Sequence, residues 1–332
     1  MLKAQAQTLK SILRFSHIER VSLGNILANY GMWLALVVMC AGFSLVSPAF
    51  LSPDNMWNIL LQAAPLAVAA IGQAIVLIAG GFDLSVGSIA AMSGLVMVLS
   101  TWRFGTIAGL ICGAAAGAGL GAINGALIGR WRLNALILTL GSMTAIRGAC
   151  YQLTGGLSLS GNIPNSMLLL GNGSVGPVPI PVIVGALSFL FLQFFLTRTV
   201  LGRNMFAMGG NREAARLAGI NLFAATLLAF TFSGFFASLN GLILTSQLAA
   251  AVPQLSPTLM LDTVAAVVIG GVSMWGGEGS AARVLAGVLF LSILRNGMDL
   301  LAVSKFLEDI ATGLIIVAAV GVDRYRHTTL SR

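Results

Sequence analysis

Apolar residues follow one another in long blocks, and charged residues are confined mainly to the gaps between them. No charge falls between Arg20 and Asp54, nor between Asp54 and Asp83. Each stretch is long enough for one membrane helix, which needs about 20 apolar residues to cross roughly 30 Å of hydrocarbon. Continued along the chain, the pattern predicts spans near residues 30–47, 60–79, 86–101, 105–128, 134–153, 178–197, 222–246, 258–272, 284–301 and 310–322. Arg295 and Asp299 interrupt the ninth, and the tenth is short. The expected fold is an all-α integral membrane protein of about ten transmembrane helices, since helices satisfy their own backbone in lipid.

Composition points the same way. Of 332 residues, 57% are hydrophobic and 8% charged, where an ordinary soluble domain has roughly a quarter charged. The net charge of +8 does not indicate nucleic acid, because the basic residues are scattered between apolar runs instead of forming a dense face that tracks phosphates. With both termini in the cytoplasm, only Arg103, Arg147, Arg295 and Lys305 of the 18 basic residues fall outside. That sorting matches the bias of Lys and Arg toward cytoplasmic loops, and one span fewer would scramble it. Cys40, Cys112 and Cys150 sit in apolar segments without paired spacing and read as small apolar fillers. The histidines, His17 and His327, lie in the tails, so no metal site and no catalytic residue is expected.

The organisation predicted is a cytoplasmic segment over residues 1–29, a transmembrane domain over 30–324, and a cytoplasmic tail over 325–332. Leu9, Ile12, Leu13 and Ile18 among basic positions suit a helix lying on the membrane surface. The polar leader is too long, and the first apolar run too extended, for a cleaved signal. Two connections stand out. Residues 155–181 are rich in Gly, Pro, Asn and Ser, carry no charge, and fall outside; residues 198–221 are the most charged interior stretch and fall inside. Residues 67–94 and 264–287 share an order of apolar run, glycine pair, acid and small residues, which suggests two inverted five-helix halves. Gly113, Gly117, Gly121 and Gly125 recur at every fourth position, which lets helix backbones approach closely.

The inner connection contains Asn211-Arg212-Glu213-Ala214-Ala215-Arg216-Leu217-Ala218-Gly219. Asn211 suits a helix cap, Glu213 the positive helix end, Ala214 and Ala215 the helix body, and Gly219 a left-handed terminating position. Such a helix is a docking element; the plainer alternative is a charged loop that only fixes topology. Glu213-Ala214-Ala215 followed by Gly219 resembles the coupling motif of bacterial ATP-binding-cassette (ABC) importer permeases. The longer run from Gly202-Arg203 to Ile220 is similar to the version in the ribose, xylose and galactose (simple sugar) type. Residues 80–88, Gly-Gly-Phe-Asp-Leu-Ser-Val-Gly-Ser, and 270–280, Gly-Gly-Val-Ser-Met-Trp-Gly-Gly-Glu-Gly-Ser, agree with the same family. The likeness covers about residues 30–324. Phe82, Glu278 and Arg283 depart from the family's usual pattern and leave the transported molecule open.

The resemblance implies a permease subunit that moves a monosaccharide or related small polar solute across the bacterial cytoplasmic (inner) membrane. It further implies a separate ABC ATPase subunit, an extracytoplasmic solute-binding protein, and a second permease copy or a sister permease; loop 155–181 is a candidate for meeting the binding protein. The residues themselves agree on the ATPase: the lysines are Lys3, Lys10 and Lys305, none preceded by Gly, so no P-loop is present. No cofactor is expected. A carboxylate at the bilayer centre costs about 2.5–3.5 kcal/mol and is usually functional or paired. For Asp83 the favoured reading is a cap, with Ser85, at the start of the third span; the sharper one is a gate or solute path, shared with Asp262 and Ser273. The competing function is an ion-coupled secondary transporter. A membrane hydrolase lacks support, because no Gly-x-Ser-x-Gly elbow occurs.

Overall fold

The computed structural model describes residues 23–330, with side chains from 31 to 321. The surface helix expected on residues 9–18 lies outside the described residues. Thirteen helices follow: α1 (Leu23–Val46), α2 (Pro53–Ile78), α3 (Val86–Phe104), α4 (Thr106–Trp131), α5 (Ala135–Thr154), α6 (Asn165–Asn172), α7 (Ile180–Arg198), α8 (Val200–Gly210), α9 (Arg212–Leu217), α10 (Leu222–Leu248), α11 (Leu259–Ile269), α12 (Ala281–Leu300) and α13 (Lys305–Leu330). Each of the ten apolar segments coincides with one of these helices. Six of them, α2, α3, α4, α7, α10 and α12, are long and apolar enough to cross a membrane, while residues 31–46 and α11 are shorter apolar helices.

Two antiparallel helices form the centre. Ser52 starts α2 by accepting the Asn55 N–H at 3.3 Å, with Pro53 in the first turn where its missing N–H costs nothing. Every residue from Ala63 to Ile78 is then buried. The partner, α10, has no amphipathic stripe because α2, α3 and α4 all pack around it. Its approach to α4 is set by the glycine stripe. A Cβ on Gly117 would fall 2.6 Å from the Gly234 carbonyl oxygen, and one on Gly125 would fall 2.9 Å from the Leu227 backbone. The small-residue reading of the sequence therefore describes a real helix crossing, held by van der Waals contact that only glycine permits.

The connection over residues 155–181 is more ordered than its composition suggests. Leu159–Ser160 (β1) pairs antiparallel with Ala250–Ala251 (β4), and Ser174–Val175 (β2) folds onto Val178–Pro179 (β3). Helix α6 is pinned to the end of α10: the Gly171 N–H donates to Ser246 Oγ at 2.8 Å, and that hydroxyl donates to the Met167 carbonyl. The cation that interrupts the ninth span is also accounted for. Arg295 meets Asp262 at 2.5 Å and Glu308 at 3.1 Å, so α12 carries its cation into the protein already paired.

The repeat needs correction. Helices α2 and α11 do end alike: Gly80 donates to Leu77 and Gly81 to Val76, as Gly271 donates to Val268 and Val272 to Val267, with Gly80 and Gly271 both at positive φ. Yet Leu61, Gln62, Pro65 and Leu66 of α2 share one cavity with Leu259 and Asp262 in the first turn of α11, and the turn after α11 bonds the last residue of α2 through Gly277 N–H to Ile78 O, 2.9 Å. The two helices run parallel. An inverted pair would run antiparallel, so these strings do not carry the inverted relation expected of them.

Candidate functional site

The connection over residues 198–221 folds as two helices. Thr199 opens α8 by accepting the Gly202 N–H at 2.9 Å, and Gly202 is required there because a Cβ would collide with the Phe195 carbonyl at the end of α7. Sequence reasoning treated this half as loop; the Thr199 cap was its missed signal. Asn211 then caps α9 by accepting the Ala214 N–H at 2.9 Å, and Gly219 closes it at φ 81°. The Gly219 N–H donates to Arg216 and the Ile220 N–H to Ala215, the paired closure that a left-handed glycine allows. Ala215 is buried, whereas Arg203, Asn211, Glu213, Ala214 and Gly219 are exposed, and Leu217 is 75% exposed. Glu213 accepts from Arg216, which holds its carboxyl below the usual carboxylate value.

A cavity of about 1050 Å³ borders this helix. Arg130, Arg132, Arg212 and Arg216 line it against the single acid Glu213, so its field is positive. Residues from two distant connections, 129–132 and 212–223, meet there.

Beneath α9 the three strings singled out in the sequence converge on glycines. A Cβ on Gly276 would lie 2.9 Å from the Gly80 Cα and 3.0 Å from the Gly209 Cα; one on Gly277 would lie 2.7 Å from the Gly210 Cα. Gly80, Gly276 and Gly277 take positive φ, which side-chain-bearing residues disfavour. The end of α8, the end of α2 and the turn after α11 thus touch backbone to backbone. Ser273 serves that turn: its hydroxyl accepts the Trp275 N–H at 3.1 Å, and its own N–H donates to the Glu278 carbonyl at 3.2 Å.

Asp83 sits close by, and the capping expectation is corrected. Ser85 is the cap residue of α3 but makes no side-chain cap bond. Instead Asp83 Oδ1 accepts the Ser85 N–H at 2.9 Å and the Ser85 hydroxyl, while Oδ2 accepts the Ser233 hydroxyl at 2.7 Å. Asn124 donates to Ser85 Oγ at 3.0 Å. Asp83 therefore ties the α2–α3 turn to α10 and, through Ser85, to α4, fully buried. Asn124 and Ser233 were missed; a lone amide in an apolar span was the available signal. Asp262 is elsewhere, beside Leu61–Leu66 of α2 and paired with Arg295.

The chain matches, over residues 55–320, the family described as branched-chain amino acid transport system / permease component. It is 37% identical to the ribose import permease protein RbsC of Bacillus subtilis (strain 168), over 92% of this chain and 96% of that protein. Identity is 36% to the RbsC of Escherichia coli (strain K12), over 89% and 93%, and 35% to the L-arabinose transport system permease protein AraH of the same strain, over 92% and 93%. No solved structure matches.

Proposed function

This chain belongs to the permease-component family that it matches over residues 55–320, and on that premise we propose that it is the transmembrane subunit of an ABC importer for a monosaccharide. The curated relatives of near-full length are named for ribose and L-arabinose, which favours a sugar over the amino acids in the family's description. ATP is hydrolysed by a separate subunit, an extracytoplasmic binding protein delivers the solute, and a second permease copy or a sister permease completes the channel. Ten spans with both termini in the cytoplasm accommodate the basic residues best.

The observation that carries the reading is the capped, exposed helix α9 mounted on the glycine junction. Its exposed Leu217 and Ala214, with the positive cavity beside them, suit an acidic, partly apolar face on the ATPase. Gly202, Arg203, Asn211, Glu213, Ala214, Ala215 and Gly219 form the coupling element; Asp83, Ser85 and Ser273 brace the gate region; Asp262 lies on the solute path. The test is uptake of labelled sugar by proteoliposomes holding the purified complex with ATP inside. Uptake should persist when ionophores collapse proton and sodium gradients. Uptake that needs a gradient and no ATP would establish the secondary transporter instead.

A further inference from the structure

A cavity of about 420 Å³ opens between α2, α10 and α11, beside Leu61–Leu66 of α2 and well away from the glycine junction at Ile78. That volume lies within the roughly 300–1,000 Å³ of small-molecule sites. Four amide side chains face one another across it: Gln62 from α2, Asn172 from α6, and Asn240 and Gln247 from α10. One buried acceptor there lacks a partner. Asn240 is fully buried, and its amide nitrogen donates to the Pro65 carbonyl at 2.8 Å, while its Oδ1 has no hydrogen-bond partner among the described residues. Pro65 has no N–H, so the carbonyl of Leu61, which also lines the cavity, loses its helical donor. Buried acceptors left unpaired are destabilising, and an entering hydroxyl donor removes that cost. The charged residues in the lining, Asp262 and Arg295, pair with each other and sum to zero.

We propose that this cavity binds one uncharged polyol within a single copy of the chain. Asn240 Oδ1 and the Leu61 carbonyl accept from its hydroxyls, and Gln62 holds it at the mouth beside Gln247. Leucines between the amides offer apolar surface to the C–H face of a sugar ring. A neutral lining discriminates against anions and cations, because an unpaired charge brought into such a site pays its desolvation without return. The proposal rests on the importer reading for its place on the solute path, but its ligand chemistry comes from these residues.

The test uses the full chain in nanodiscs with Cys40, Cys112 and Cys150 replaced by alanine. Alkylation of Gln247→Cys by a small water-soluble maleimide is timed with D-ribose, L-arabinose, D-xylose, D-galactose or glycine betaine at equal millimolar concentration. At least one sugar should slow it several-fold and betaine should not, while Leu157→Cys on the outer connection is unaffected by either. Adding Asn240→Leu should remove the protection. Gln62→Leu should weaken it as well, and Gln62 is exposed, so that variant keeps the test valid where Asn240→Leu fails to insert. No slowing by any sugar, equal slowing by betaine, or full protection in Gln62→Leu would overturn the site. ATP-driven uptake by the wild-type complex is measured in parallel. Uptake without protection sinks the site alone, and protection without uptake sinks the importer reading alone.

Discussion

Gly209 and Gly210 are neighbours in α8, both small, and the structure predicts opposite consequences for adding one methyl to each. A Cβ on Gly209 would overlap the Ile78 carbonyl oxygen and sit 2.5 Å from the Gly277 nitrogen. Both obstacles are backbone, so no rotamer change clears them; α8 must lift from α2, or the Gly277 to Ile78 hydrogen bond must break. Overpacking costs about 1–3 kcal/mol and the lost bond about 0.5–1.5 kcal/mol. Ala favours a helix over Gly by roughly 1 kcal/mol, which leaves Gly209→Ala destabilised by about 0.5–3.5 kcal/mol after the same terms are combined. On Gly210 the nearest atom to the added carbon is the Gly277 Cα at 4.0 Å, an ordinary contact, so Gly210→Ala should be neutral or slightly stabilising. Thermal unfolding of the purified chain reads the difference, and ATP hydrolysis against uptake in the complex reads its consequence. Gly209→Ala should hydrolyse ATP with reduced uptake, Gly210→Ala should behave as wild type. Equal unfolding midpoints and equal uptake would mean that α8 does not bear on the end of α2, and transmission through the glycine junction would be refuted.

A Cβ on Gly219 meets no atom within 4 Å, so the cost of Gly219→Val is chiefly the left-handed backbone, about 1–2 kcal/mol; pull-down of the ATPase or hydrolysis without uptake should report it, and Glu213→Lys should uncouple without unfolding the chain. Asp83→Asn keeps Oδ1 for Ser85 and lets the Ser233 hydroxyl turn to accept, so insertion, melting temperature and transport should stay near wild type; normal insertion with transport abolished would assign Asp83 to the gate. Asp83→Leu strands three donors at about 1–3 kcal/mol each and should lose folded protein on a gel-filtration trace. The Glu213 carboxyl is held low by its bond from Arg216. Its contribution is therefore complete above the ordinary carboxylate value of about 4.3 and is lost only as pH falls through the lower folded value. Glu213→Gln should give an uptake profile parallel to wild type from about pH 6 to 8, well above that range, and a changed slope there would contradict the assignment.

Local chemistry was legible where the cause was local. The cap at Asn211, the left-handed Gly219 and the small-residue stripe of α4 follow from neighbours in sequence, and the structure places them as read. The apolar blocks likewise gave the helices. What the sequence could not give was contact between distant segments. Nothing near Asp83 announces that its acceptors are used by Ser233, 150 residues away, and so its reading as a cap of α3 was the best available from Ser85 alone. Gly276 and Gly277 are turn residues at positive φ. Only the fold shows that the turn is glycine-rich because two other backbones occupy the space a side chain would need. The parallel run of α2 and α11 was illegible for the same reason, since the strings repeat in order whichever way the second is turned.

Helix α2 joins the sites. From Gln62 at the amide cavity to Ile78 at the glycine junction is sixteen residues, about 24 Å of helix, all but the first turn of it buried. A rod enclosed on all sides cannot bend freely, because close-packed neighbours resist displacement, so a shift of α8 at one end moves the other. Pro65 sits within the cavity wall and breaks the hydrogen-bond ladder there, which makes that turn the one place where α2 yields. On the importer reading, a motion entering at α9 would be delivered to the residues around Asn240, where a change in the Leu61 and Pro65 carbonyls would change how well a hydroxyl is held. Pro65→Ala restores the donor to Leu61 and stiffens the rod. It should raise the melting temperature, since a helix-interior proline costs about 3 kcal/mol relative to Ala, yet reduce uptake per ATP hydrolysed. A stabilised chain with unchanged transport stoichiometry would separate the cavity from the coupling element and end the argument that α2 connects them.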